Sequence, residues 1–200
     1  MKLNVGCGPN LLDGYVNIDT DNIGLMRKRY PGTIFSEDAH IYTYDIFNLP
    51  YNEESVDEII ADSLLEHLSF EEEPAFLREM LRLLKPNGIF TFSVPNFEKI
   101  VKRWLEAKDD WKDFYRTDDE AISATHWFGT YSYDQDNRWG YLTAMLYGNQ
   151  NGKGQFHKNC YTIAKIKPMM SKVGCVDVTI TEFIRKGNRD PMIGVLYRKQ

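Results

Sequence analysis

The sequence predicts an α/β fold: a doubly wound, mostly parallel sheet with an antiparallel final hairpin and a helical, aromatic-rich insertion after strand five. In the first half of the chain, short apolar segments alternate with stretches of helical spacing, which indicates a parallel sheet. The first strand also runs directly into Gly6 and Gly8, where such sheets bring backbone N–H groups close to a ligand. We expect one domain over residues 1–200, in which residues 96–160 form an inserted lid or substrate subdomain.

Strands are predicted where apolar and polar residues alternate over a few positions between turn-forming residues. In chain order, the predicted strands are Lys2–Val5, Gly14–Asp19, Ile41–Ile46, Val56–Ala61, Ile89–Val94, Cys175–Thr181 and Met192–Tyr197. Pro95 stops the fifth strand, and Lys186–Asn188 predicts the turn that joins the last two.

Helices are predicted where apolar residues recur at helical spacing. They are a short helix or loop over 21–30, and helices over 71–84, 97–105, 139–146 and 162–173. Thr162 caps the last helix and Gly174 stops it, while Pro168 should kink it or split it in two. We interpret the aromatic residues of the insertion as both a satellite core and a substrate lid, with more weight on packing.

Composition and charge disfavour several classes of protein. The net charge is −5 and the densest basic run is Arg27–Arg29, so we expect no nucleic-acid partner. Three scattered cysteines fit a reducing cytoplasm, and the absence of C-x-x-C and H-x-x-x-H spacings predicts no metal site. Met1 leads directly into a core strand, which argues against a signal peptide. No apolar run approaches the ~20 residues that span a bilayer, so we expect a cytoplasmic protein with no membrane partner.

A series of short motifs carries a family resemblance. The motifs are Asn4–Asn10, Asn17–Asp19, Leu49–Tyr51, Leu65–His67 and Leu84–Gly88. Their order resembles that of class I S-adenosylmethionine-dependent methyltransferases, over the first half of the chain well and at its end loosely. Gly148–Lys158 is also similar to a stretch in a bacterial branch of predicted small-molecule methyltransferases. The resemblance implies a Rossmann-like fold, S-adenosyl-L-methionine as the cofactor and S-adenosyl-L-homocysteine as the product.

The chain departs from this family pattern at the glycine loop. Six residues separate Gly8 from Tyr15, too few for the helix that usually follows the loop, so we expect that helix to be a single turn or absent. The chain also starts at its first strand, without the preceding helix that often covers the pocket in this family. We therefore expect residues 96–160 to cover the cofactor.

The resemblance implies a set of cofactor-binding residues at the ends of the first strands. Asp19 would accept hydrogen bonds from the ribose hydroxyls, and Asp45 from the adenine amino group. The alternatives are a solvated strand-end carboxylate for Asp19 and a turn or N-cap role for Asp45. Asn4 replaces a common acid and can still hydrogen-bond near the loop. The full expected set is Asn4, Gly6, Cys7, Gly8, Pro9, Asn10, Asp19, Thr20, Asp45, Ile46, Asp62, Ser63 and Leu64.

The candidates for catalysis are His157, His67 and Tyr147. Methyl transfer from a sulfonium requires alignment of the acceptor and exclusion of water, and it sometimes requires a base. His157 has a near-neutral pKa by default and suits a base for a hydroxyl, whereas a structural role is the alternative for both histidines. We expect Tyr147, Gln150 and His157 to point into the pocket, and His126 is a weaker candidate.

We therefore expect an enzyme that moves a methyl group to oxygen or nitrogen of a polar small molecule, such as a sugar or a metabolite. A homodimer is left open. A nicotinamide dehydrogenase fails because the third glycine of its loop and the long helix after that loop are missing. The remaining alternative is an S-adenosylmethionine-binding or interaction module without turnover, which binding in the absence of product release would reveal.

Overall fold

A computed structural model describes residues 1–107, 138, 140–150, 154–187 and 189–200. In this part of the chain, six strands form one sheet in the order β2-β1-β3-β4-β6-β5. The strands are β1 (Lys2–Val5), β2 (Val16–Ile18), β3 (Val56–Asp62), β4 (Leu84–Pro95), β5 (Val178–Ile184) and β6 (Pro191–Arg198). Strands β1 to β4 pair in parallel, and β6 is antiparallel to both β4 and β5, so the predicted mostly parallel sheet with a final hairpin is confirmed.

The predicted strand at Ile41–Ile46 is wrong. The segment makes a single parallel bridge, between Ile18 and Tyr42. The chain then turns, because the Asp45 carboxylate accepts a hydrogen bond from the backbone N–H of Phe47 at 2.9 Å. This local turn replaces further strand pairing, so only Tyr42 of the segment pairs with β2. Asp45 is left near the ends of β1 and β2.

The helices agree with the predicted spacing, with small shifts of boundary. They are α1 (Ile23–Arg29), α2 (Glu72–Leu83), α3 (Phe97–Glu106), α4 (Tyr141–Tyr147) and α5 (Ile163–Lys172). Pro168 does not split α5, whose start is capped by the Thr162 side chain and whose buried residues Ile166 and Met170 pack into the core. No helix within the described ranges is long and apolar enough to cross a membrane.

The main core lies on one face of the sheet, under helices α2 and α5. Phe76 and Met80 of α2, Ile166 of α5, Ile59 of β3 and Phe90 of β4 are fully buried in one cluster. Burial of each such side chain stabilises the fold by roughly 1.5–3 kcal/mol. The packing fixes the strand ends from which the loops of the candidate site extend.

The two ends of the segment 96–160 meet beside the sheet. Asn96 pairs with Tyr161 in a parallel bridge, and the N–H of Phe97 donates to the Tyr161 carbonyl at 3.0 Å. The buried Tyr161 hydroxyl donates to Glu73 of α2 at 2.6 Å, so the returning chain is anchored on α2. The chain therefore leaves the sheet after β4 and returns to nearly the same place.

Candidate functional site

A cavity of about 520 Å³ opens at the carboxyl ends of β1, β2 and β3. Every predicted cofactor residue except Asn4 lines it: Gly6, Cys7, Gly8, Pro9, Asn10, Asp19, Thr20, Asp45, Ile46, Asp62, Ser63 and Leu64. His67 and His157 line it as well. The carboxyl edge of a parallel sheet is where such folds bind ligands.

The glycine loop after β1 approaches its neighbours closely. Gly6 and Gly8 have positive φ values of 68° and 51°. A Cβ atom on Gly6 would lie 2.8 Å from Cδ1 of Leu64, so this position requires glycine for its conformation and for its space. Asp19 accepts a hydrogen bond from the N–H of Gly8 at 2.8 Å, which ties the end of β2 to the loop. The described structure contains no helix between Gly8 and Val16, in agreement with the short spacing.

Asn4 is buried beneath the loop and does not line the cavity. Its Nδ2 atom donates to the carbonyl of Asn10 at 2.9 Å and to Oδ1 of Asn17 at 2.8 Å. Asn17 in turn accepts from the N–H of Leu12 at 2.9 Å. The two amides therefore hold the second half of the loop, and Asn4 acts on the cavity only through the backbone that it positions.

The surroundings of two cavity residues determine the protonation of Cys7 and the hydrogen bonding of Asp45. Burial, with the Asp19 carboxylate nearby, raises the pKa of the Cys7 thiol to about 12, so this thiol is neutral and a poor nucleophile. One oxygen of Asp45 is used in the turn with Phe47. A carboxylate can accept further hydrogen bonds, so Asp45 keeps acceptor capacity toward the cavity beside Ile46.

Arg185 is a cavity residue that the sequence analysis missed. It follows β5, and its Nη2 atom lies 2.6 Å from Oδ1 of Asp62 and 2.7 Å from the Ser63 hydroxyl. The chain separates Arg185 from Asp62 by 123 positions. No motif surrounds this arginine, and only the pairing of β6 with β4 brings its hairpin to the end of β3.

Glu66, His67 and His157 form a second cluster of residues that line the cavity. Glu66 and His67 lie in a 3₁₀ turn, Leu65–His67, which follows β3. The Glu66 carbonyl accepts hydrogen bonds from the N–H groups of Lys158 at 2.8 Å and Asn159 at 3.1 Å, and this holds the returning chain against the turn. The two imidazole rings are 4.9 Å apart, edge to face.

Each histidine of this cluster has one nitrogen engaged with a backbone carbonyl. Nδ1 of His67 lies 3.1 Å from the Phe156 oxygen, and Nδ1 of His157 lies 3.0 Å from the Met145 oxygen. Because a carbonyl only accepts, each Nδ1 carries the hydrogen, and the lone pair is on Nε2. Burial lowers the pKa of His67, and burial together with the neighbouring His67 lowers the pKa of His157 to about 4, so both rings are neutral near pH 7.

Glu66 is the most deeply enclosed member of the cluster, with 2 % of its surface exposed. Burial raises the pKa of its carboxyl to about 8. Its Oε2 atom has no hydrogen-bond partner among the described residues. In the sequence, only the position of Glu66 between the apolar residues Leu65 and Leu68 indicates this burial.

The segment 96–160 contributes to the cavity through its last part. The residues of this part that line the cavity are Met145, Asn149, Gly154, Gln155, His157 and Lys158. Tyr147 is 60 % exposed, and neither it nor Gln150 is among the lining residues. The predicted aromatic lid residues Trp111 to Tyr133, and His126 with them, lie outside the described residues.

A larger cavity of about 740 Å³ lies along the sheet, with Thr91, Thr181 and Leu196 among its lining residues. It shares Gly6, Cys7 and other loop residues with the smaller cavity, but neither histidine lines it. We place the candidate site in the smaller cavity because the predicted cofactor residues and the histidine cluster meet there.

Comparisons with known proteins concern the family and the fold of this chain. Residues 3–92 match the family model described as a methyltransferase domain. Among solved structures, the chain is similar to the 1,6-didemethyltoxoflavin-N1-methyltransferase of Burkholderia thailandensis, which was solved with 1,6-didemethyltoxoflavin and S-adenosylhomocysteine bound. The TM-score is 0.58 at 15% identity, over 100% of this chain and 70% of that one.

Two further solved structures show the same fold. A methyltransferase of Methanosarcina mazei, described as S-adenosylmethionine-dependent, has a TM-score of 0.57 at 15% identity, over 99% of this chain and 91% of that one. A Thermotoga maritima protein, described as a possible histamine N-methyltransferase, has a TM-score of 0.56 at 11% identity, over 100% and 82% of the two chains. No curated protein matches this chain.

Proposed function

We propose that this chain methylates an oxygen or nitrogen atom of a polar small molecule with S-adenosylmethionine as the donor. The proposal starts from the match of residues 3–92 to the methyltransferase-domain family model and from the fold that the chain shares with S-adenosylmethionine-dependent methyltransferases. One observation carries the proposal. The glycine loop, Asp19 and Asp45 line a single cavity together with two neutral histidines, His67 and His157. A donor and an acceptor can therefore meet inside it.

The cofactor in this proposal lies along the ends of β1 to β3. Asp19 accepts from the ribose hydroxyls and Asp45 from the adenine amino group, with Ile46 against the ring. Asp62 and Arg185 present one charge of each sign to the methionine end, which carries an ammonium and a carboxylate. The remaining contacts are backbone contacts of the glycine loop.

The acceptor lies on the side of the histidine cluster. Methyl transfer needs the accepting atom in line with the S–CH₃ bond and water kept away. Neutral His67 and His157 can each offer an Nε2 lone pair to the acceptor. A pKa of about 4 makes His157 a weak base, so we assign it to orientation of the acceptor rather than to removal of a proton. Tyr147 has no part in this proposal because its side chain is exposed.

Residues 96–160 act in this proposal as a subdomain that covers the cavity. Two observations support it: the segment leaves and rejoins the sheet at adjacent positions, and six described residues between Met145 and Lys158, these two included, line the cavity. Covering the site would exclude water from the sulfonium.

Ligand-dependent unfolding tests the cofactor part of the proposal. S-adenosylhomocysteine at 100 times its dissociation constant should stabilise the fold by about 2.7 kcal/mol, whereas NAD should not. A stabilisation by NAD alone would overturn the assignment. A panel of hydroxylated and amine acceptors, assayed for S-adenosylhomocysteine release, then tests turnover.

A binding module without turnover is the second candidate. The short connection after Gly8, with no helix before Val16 in the described chain, favours it because the usual cover on that side of the cofactor is reduced. Tight cofactor binding with no product from any acceptor class would support this candidate over the enzyme.

A further inference from the structure

We propose that Glu66, His67 and His157 bind a divalent transition-metal ion, for which Zn²⁺ and Co²⁺ are suitable probes. The part of the inference that concerns the acceptor rests on the proposed methyltransferase function. The binding site itself does not, because it follows from the three side chains alone.

The three side chains already converge. One ligand atom from each lies within 4.8 Å of the other two. Nitrogen and oxygen ligands sit about 2.0–2.2 Å from a bound Zn²⁺, which places neighbouring ligand atoms roughly 3–3.5 Å apart. Small rotations of the side chains close that difference. Two imidazoles with one carboxylate, and further positions left open, are a donor set that Zn²⁺ and other first-row divalent ions accept.

The Glu66 carboxylate supplies an independent observation. This side chain is almost completely buried, it lines the cavity, and its Oε2 atom has no partner among the described residues. A buried polar atom without a partner costs about 1–3 kcal/mol, so such an atom calls for a ligand that is missing from the protein itself. A bound cation would displace the proton of this carboxyl group and supply the missing partner of Oε2.

The histidines are held as metal ligands usually are. A ligating imidazole commonly donates its other N–H to a carbonyl or carboxylate, which fixes the tautomer and the ring orientation. The carbonyls of Phe156 and Met145 stand in that position toward His67 and His157. The Glu66 carbonyl also fixes the chain after His157, because it accepts from Lys158 and Asn159.

The charges nearby leave room for a cation. Lys158 pairs with Glu72 at 3.1 Å, and Arg185 pairs with Asp62 at 2.6 Å, so each of these cavity cations has a carboxylate of its own. Arg185 still acts on Glu66 and, like a hydrogen bond from Ser63, lowers the pKa of its carboxyl group, but Oε2 itself has no partner among the described residues.

The ion would hold the acceptor through oxygen in the open coordination positions. A hydroxyl bound there would lose its proton to solvent water more readily. Its oxygen would then attack the methyl carbon, so that the C–O bond would form as the S–CH₃ bond broke, and the electron pair of the broken bond would stay on sulfur as S-adenosylhomocysteine. His67 and His157 would thus orient the acceptor through the metal, which explains why weakly basic imidazoles occupy this side.

The test uses the 200-residue chain without a tag, freed of metal by a chelator. Titration with Zn²⁺ by calorimetry and with Co²⁺ by visible absorption should show one ion per chain. Loss of a residue that only supports a metal ligand typically weakens metal binding roughly 10–100-fold. Glu66→Gln, which keeps the side-chain shape, and His157→Ala should each weaken metal binding by more than that, because both residues are proposed ligands. His40→Ala is the matched control, because His40 is exposed and does not line the cavity.

Circular dichroism and S-adenosylhomocysteine binding are measured on the same samples. The metal site is overturned if the wild type does not bind one metal ion per chain, or if Glu66→Gln and His40→Ala bind the metal equally well. In either case, retained binding of S-adenosylhomocysteine leaves the proposed function intact. Metal binding that depends on Glu66 and His157, in a protein that binds no S-adenosylhomocysteine, supports the metal site and removes the proposed function.

Discussion

The two sides of the cavity are built in different ways. The loop side, Gly6 to Asp19, presents mainly backbone, and buried amides beneath it hold its shape. The histidine side, consisting of Glu66, His67 and His157, presents side chains whose own backbone is fixed by the 3₁₀ turn and the returning chain.

This difference predicts opposite sensitivities. A ligand on the loop side meets N–H groups, so the conformation of the loop matters more than most of its side chains. A ligand on the histidine side meets two imidazoles and a buried carboxyl group, so even an isosteric replacement alters the chemistry. Variants of the loop side should therefore act on cofactor affinity and stability together, whereas variants of the histidine side should spare cofactor affinity.

Gly6→Ala should have the largest effect. The new Cβ would lie 2.8 Å from Cδ1 of Leu64, on a backbone with φ of 68°. A strained backbone position of this kind lowers the free energy of unfolding by up to about 3 kcal/mol. Urea denaturation should show that loss of stability, and calorimetry should show weaker S-adenosylhomocysteine binding in the folded protein.

Gly32→Ala is the control for this variant, because nothing lies within 4 Å of a Cβ at Gly32. If Gly6→Ala retained both the stability and the cofactor affinity of the control, the loop side would not depend on its backbone conformation, and the contrast between the two sides would fail.

The loop side is also the part of the site that sequence reasoning could anticipate. Its residues are adjacent in the chain, and the positions of Gly6, Gly8 and Asp19 follow from a strand, a tight turn and the next strand. The sheet and most helices were predicted for the same reason, since periodicity is a local property. The failure at Ile41–Ile46 has a local cause too, because Asp45 bonds the backbone of Phe47 in preference to pairing.

His67 and His157 were both predicted as candidates, but their meeting with each other and with Glu66 could not be anticipated in this way. His67 and His157 are 90 positions apart, so no spacing motif connects them. They meet because Tyr161 and the Glu66 carbonyl anchor the chain that returns from the segment 96–160, and such anchoring is visible only in three dimensions. Arg185 reaches Asp62 through the pairing of β6 with β4, which is equally non-local.

Asp19→Ala should have the second largest effect, because Asp19 is the side chain on which the loop side depends. Its loss removes the acceptor for the Gly8 N–H and the proposed acceptor for the ribose hydroxyls. Cofactor affinity should fall by about 2 kcal/mol, or roughly 30-fold, by calorimetry. Asp13→Ala, at an exposed loop position, should leave the affinity unchanged, and an equal affinity of both variants would mean that the ribose is held elsewhere.

Arg185→Gln should have the smallest effect, because Arg185 pairs with Asp62 and this ion pair is partly solvated. The side chains of Arg185 and Asp62 remain 29% and 47% exposed, and a pair of this kind contributes about 0.2–1 kcal/mol. Cofactor affinity should therefore fall less than about tenfold at low salt, and the difference from the wild type should shrink as salt screens the charges.

Arg198→Gln, which removes only an exposed contact to the Asn87 carbonyl, is the control. A loss that is large and independent of salt would show that Arg185 binds the cofactor carboxylate in a desolvated contact, and Asp62, Ser63 and Arg185 would then form a third, charged part of the site.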